Sequence, residues 1–117
     1  MRRYGFETSG APWLEVKAPG DEALTQRLRE SLDAGEAEAI AVALEQQADR
    51  LLMDERRGRK IASASGLTVV GLLGVLAEAK NRAFIPACKP LLDEIIEVAG
   101  FWIGETLYRR YLDKIRE

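Results

Sequence analysis

The sequence contains no histidine. Ser-His-Asp and Cys-His catalysis, H-E-x-x-H zinc sites and Cys2His2 fingers all need an imidazole and are excluded. Cysteine is almost as scarce. Cys88 stands alone, which removes any internal disulfide framework and any C-x-x-C centre. A lone thiol with no secretory segment predicts a reducing, cytoplasmic setting. The chain also lacks an excess of one charge. Its 17 basic and 19 acidic residues leave a net charge of -2, so neither a strongly basic nucleic-acid clamp nor a polyacidic tail dominates it. Long apolar runs are missing too. The longest, Leu67 to Ala77, is interrupted by two glycines and a threonine and falls short of the roughly 20 residues that span a bilayer. Met1-Arg2-Arg3 is followed by Tyr4-Gly5-Phe6-Glu7 rather than an apolar stretch, so no signal peptide is readable.

What is present suits one folded domain. The chain has 117 residues, 47% of them hydrophobic, enough to bury a core but not to divide into two. Gly5, Gly10, Pro12, Pro19 and Gly20 punctuate the first twenty residues, which read as an irregular arm. Within it the weak alternation of Trp13-Leu14-Glu15-Val16 is compatible with one short strand. Asp21-Glu22 then opens a helix with Leu24, Leu28 and Leu32 on one face. Asp33, followed three residues later by Glu36, has the spacing of a capping box. The helix it opens carries Ala37, Ile40, Ala41, Leu44 and Ala48 on one side.

Leu51-Leu52-Met53 is too short an apolar run for a helix and predicts a buried strand. The β-branched run Leu67-Thr68-Val69-Val70 predicts a second. The segment between them has the length of one crossover helix, so the two strands should lie parallel. Three further helices are expected. One follows Gly71, one starts near Pro90 and stops at Gly100, and one runs from about Gly104 to the end.

With imidazole unavailable, chemistry falls to carboxylates. Glu36 and Glu38 sit at the start of one helix, and Asp54 and Glu55 just after a strand. Parallel sheets bind ligands beyond the carboxyl ends of their strands, where Asp54 and Glu55 should lie. The helix bearing Glu36 runs antiparallel into that strand, which brings its N-terminal end to the same rim. Converging carboxylates repel one another unless a cation enters, and hard oxygen ligands suit Mg2+ or Mn2+. The neighbouring Arg56, Arg57, Arg59 and Lys60 have the charge to hold phosphates. Each group also has a purely structural use: Glu36 as a capping-box residue, Asp54 as a helix cap, Glu38 and the arginines as solvated helix faces, Trp102 and Tyr108 as packing residues.

The blocks L-D-A-G-E-A-E-A-I-A-V-A-L-E and L-L-M-D-E-R-R-G-R-K-I-A are followed in order by G-L-T-V-V-G-L-L-G-V-L-A-E-A-K, P-L-L-D-E-I-I-E and G-F-W-I-G-E-T-L-Y. Together, over about residues 30 to 117, they resemble a branch of the PIN-domain family related to VapC toxins. The resemblance implies a helix-rich α/β fold, a truncated three-layer PIN-like arrangement with a short parallel sheet over residues 21 to 117. It also implies a Mg2+- or Mn2+-dependent ribonuclease, with Glu36 and Asp54 as metal ligands, Glu55 beside them, and an antitoxin protein as partner. The family's opening strand, which ends in an aspartate, has no counterpart before Gly10. The chain is therefore expected to start inside the family's pattern and to cover its exposed sheet by forming a dimer or larger assembly. The rival expectation is an inactive interaction domain that keeps the scaffold and binds itself or an antitoxin.

Overall fold

The computed structural model describes residues 10 to 117. Of the irregular arm expected over residues 1 to 20, residues 1 to 9 lie outside the described residues. Trp13 to Val16 form no strand: only a turn, Leu14 N–H to Ala11 O at 2.9 Å, orders this stretch. Alternation makes a strand only where another strand offers its backbone.

Six helices and two strands follow: α1 (Glu22–Arg29), α2 (Ala34–Glu45), β1 (Leu51–Leu52), α3 (Arg56–Ala64), β2 (Val69–Val70), α4 (Leu72–Asn81), α5 (Lys89–Ala99) and α6 (Glu105–Lys114). Local chemistry sets most boundaries. The Asp21 carboxylate accepts the Leu24 N–H to start α1, and Asp33 accepts the Glu36 N–H at 2.8 Å to start α2. Glu45, the last residue of α2, reaches back to accept the Gly20 and Asp21 N–H groups. That clasp ties the entry of α1 to the end of α2. Helix α2 stops before Ala48, which lies beyond Gln47 at a left-handed φ of 52°.

Strands β1 and β2 pair in parallel, Leu51 opposite Val69 and Leu52 opposite Val70, with α3 as the crossover. The fold is thus a small, helix-rich α/β domain on a short parallel sheet. The core has two parts. Leu32, Ala37, Ile40, Met53 and Ala62 join α2, α3 and the sheet. Leu76, Cys88 and Leu92 join α4, α5 and α6. Val75 on α4 is exposed, and Trp102 stands 83% exposed, outside both parts of the core. Tyr108 bridges α6 to α5 through Asp93, which Lys89 also grips.

Helix α5 shows how a distant residue completes an element. Its own N-cap, Cys88, makes no side-chain cap bond and is fully buried, its thiol donating to Leu76 O. The Glu117 carboxylate takes the Cys88 and Lys89 N–H groups instead, each at 2.8 Å, and pairs with Lys80. These three donors hold Glu117 down at about 2. A depressed carboxylate adds stability above its unfolded value, and that stability is lost as pH falls toward the folded one. Glu117→Gln should therefore lower the melting temperature at pH 7, and the gap from the parent should close between pH 4.5 and pH 2. A gap that stays constant down to pH 2 would remove the charge from this clasp.

Candidate functional site

The rim beyond the carboxyl end of β1 is built from three chain segments: the first turn of α2, the stretch from Met53 into α3, and the turn from β2 into α4. Glu36 comes from the first. Burial pushes its carboxyl up, and the negative charges of Asp33 and Glu55 push it further. The Asp33 backbone N–H opposes them, the return half of a capping box, and a side-chain hydrogen bond with Glu55 raises it again. Glu36 thus both caps its helix and faces a second carboxylate. Glu55 has the same double character: its Oε2 accepts the Gly58 N–H at 3.0 Å as the N-cap of α3.

Two glycines make this closeness possible. A Cβ on Gly58 would overlap the Met53 Sδ and stand 3.3 Å from Glu36 Oε2. A Cβ on Gly71 would meet Arg59 Nη1 at 2.7 Å and Asp54 Oδ1 at 3.0 Å. A side chain at either position would make these neighbours shift. The sequence pattern marks Gly71 as a turn but offers no signal that Gly58, inside a helix, is a close approach.

The structure brings Glu36 and Glu55 together. It places Asp54 next to Glu55 in sequence but turned toward α4: Oδ1 accepts the Leu72 N–H at 3.0 Å. Helix α4 begins at Gly71, which has no side chain to cap it, so Asp54 supplies the missing acceptor from across the strands. Glu38 points elsewhere, in an ion pair with Arg29 at 3.2 Å. Of the basic run, Arg59 bends inward and donates from Nη1 to Met53 O, while Arg56, Arg57 and Lys60 are exposed.

Among the described residues, no group of three or more Asp, Glu, Cys or His side chains is close enough to hold a metal. The donor set at the rim is the Glu36–Glu55 pair. Two like-charged carboxylates in contact, one pushed above its usual range, form a donor set that a divalent cation would relieve. Mg2+ commonly takes only one or two protein carboxylates and fills its remaining positions with water and substrate phosphates. Two carboxylates in contact are donors of the kind a hard divalent ion takes.

No helix among the described residues is long and apolar enough to cross a membrane. No curated protein and no solved structure matches the chain. A family model does: DUF3368, a PIN domain, matches residues 4–117, well beyond the span over which the sequence blocks show the resemblance. That match covers nearly the whole chain, and nuclease-type chemistry is what the family points to. With a short parallel sheet, a crossover helix and acidic residues at the strand end, the chain belongs to the PIN-domain family.

Proposed function

We propose that this PIN domain is a divalent-metal-dependent ribonuclease, the toxin half of a toxin–antitoxin pair that works in the cytoplasm as a homo-oligomer. The observation that supports this most is the Glu36–Glu55 pair, two carboxylates held against each other at the strand end by two separate helix caps. Glu36 and Glu55 would hold Mg2+ or Mn2+, with Asp54 at the same rim. When bound there, such an ion would supply Lewis acidity toward a phosphodiester and lower the pKa of a bound water.

The protein's own residues do the rest. Arg56, Arg57 and Lys60, exposed on α3, take the flanking phosphates of an RNA strand. Arg59 stays bound to Met53 O and fixes the backbone just before the acidic pair. Glu36, raised by burial and by its acidic neighbours, holds its proton more tightly than an ordinary carboxylate until a cation displaces it. Metal uptake should therefore release protons and strengthen as pH rises.

The test uses the full chain, single-stranded RNA and Mn2+ or Mg2+. Cleavage is expected with metal and not after addition of a chelator. Cleavage that survives the chelator, or none with either ion, would overturn the reading.

A further inference from the structure

Helices α4 and α6, with the residues just after α6, line a half-open cavity of about 530 Å3 that neither Glu36, Asp54 nor Glu55 borders. Small-molecule sites typically measure about 300–1,000 Å3. Its walls are apolar, from Leu73, Ala77 and Ile115, and its polar rim includes Lys80, Lys114 and Arg116. No acidic residue lines it. Lys80 is already committed: its Nζ donates to Ile115 O at 2.7 Å and to Glu117 at 2.9 Å. Lys114 and Arg116 take part in no ion pair among the described residues. The cavity therefore combines apolar walls with two exposed cations that form no ion pair among the described residues.

Two backbone features bear on the same place. Arg116 closes α6 in the left-handed region, at φ 61°, where glycine would cost less. The chain carries a cation there instead. Gly74, which also lines the cavity, sits exposed inside α4 with nothing within 4 Å of where its Cβ would be. A helical glycine costs about 1 kcal/mol against alanine, and no packing contact in this fold requires it. A side chain at this position would project into open space.

We infer that this cavity binds a small amphipathic anion, a ring-sized apolar body bearing one phosphate or carboxylate. The body lies against Leu73, Ala77 and Ile115, and Lys114 and Arg116 take the charge. Both halves are needed. Cations this exposed hold a bare phosphate weakly against water and salt, and the apolar wall alone does not distinguish a charged ring from a neutral one.

The probe is phenyl phosphate, with phenol and inorganic phosphate as its two halves, titrated into the full chain and followed by amide shifts in nuclear magnetic resonance. Saturable shifts centred on Gly74, Ala77, Tyr111 and Arg116 are expected, with each half binding at least tenfold more weakly. Gly74→Leu, which adds bulk at the pocket lining and favours the helix, and Lys114→Glu with Arg116→Glu, which reverses the rim, should each weaken binding tenfold or more while the melting temperature confirms a folded protein. Equal affinity for all three probes, shifts centred elsewhere, or binding indifferent to Gly74→Leu would overturn the assignment. Because the cavity shares no residue with the acidic rim, loss of RNA cleavage would leave this result standing, and the reverse holds as well.

Discussion

Glu36→Gln should stop metal-dependent RNA cleavage and at the same time make the metal-free protein more stable. The two effects have one cause. Burial, Asp33 and Glu55 all raise the Glu36 carboxyl, so the folded state holds that proton more tightly than the unfolded chain does. A raised carboxylate costs stability at pH values above its folded value, and the cost is relieved as pH falls. Glutamine removes the charge but keeps an oxygen for the Asp33 N–H and gains an N–H for Glu55. The apo protein should therefore melt at a higher temperature at pH 7 to 8, and the advantage should shrink in acid as the parent's own Glu36 becomes neutral. Activity moves the other way. Even residues that only orient a metal's ligands cost about 10–100-fold when replaced, so loss of one of the two proposed ligands should cost at least about 100-fold. Added Mn2+ should raise the melting temperature of the parent and not of the variant. A variant that is less stable without metal, or that cleaves RNA at the parental rate, would show that Glu36 serves only its helix.

Asp54 is the necessary comparison. Its Oδ1 caps α4 through Leu72 N–H, and asparagine retains that oxygen, so Asp54→Asn tests charge with the cap in place. Alanine removes both, at about 1 kcal/mol for the lost cap. Asp54 and Glu117 solve the same problem in different places. Helices α4 and α5 start at Gly71 and Cys88, neither of which makes a side-chain cap bond. Each borrows a carboxylate from a remote part of the chain, over 18 residues in one case and 28 to 29 in the other.

That borrowing marks the limit of what could be read in advance. Caps formed within three residues are local chemistry, so Asp21, Asp33 and the left-handed Gly100 after α5 are legible from residue type and spacing. The parallel pair is legible as well, because two short apolar runs separated by a helix-length segment have few other ways to pair. The meeting of Glu36 with α3 follows from the antiparallel course of α2 into β1. The particular contacts do not: Glu36 bonds to Glu55, while Asp54 caps α4, whose own N-cap Gly71 has no side chain. Arg59 reads as one more surface cation, yet it turns inward because the space beside Gly71 is empty of side chain. Trp13 to Val16 differ from expectation for a related reason. Apolar character predicts a partner, and here no strand pairs with this stretch.

Leu92→Ala should be the most damaging single truncation in the second half of the molecule, and it should leave the acidic rim's chemistry intact. Leu92 is fully buried, in one cluster with Cys88 and Leu76, and Ile95, Ile96, Phe101, Tyr108, Tyr111 and Ile115 pack around them. Removing a buried leucine's outer carbons costs about 2–5 kcal/mol, the spread reflecting how far the cavity can collapse. Collapse is restricted here. Tyr111 Oη donates to Leu73 O at 2.7 Å, Cys88 Sγ to Leu76 O at 3.2 Å and Lys80 Nζ to Ile115 O at 2.7 Å, so α4, α5 and α6 are pinned around the gap. The cost should fall in the upper part of that range, a large share of the 5–15 kcal/mol that holds a domain together. Glu36 and Glu55 stand on α2 and at the start of α3, over the other cluster, whose centre is Ile40. Hydrogen exchange should therefore show α5 and α6 losing protection before α2 and α3. At temperatures where the variant is still folded, its cleavage rate per folded molecule should match the parent's. A cost under about 1 kcal/mol by denaturant titration, or protection lost first in α2, would mean that the two halves of the core do not divide the work of folding and chemistry between them.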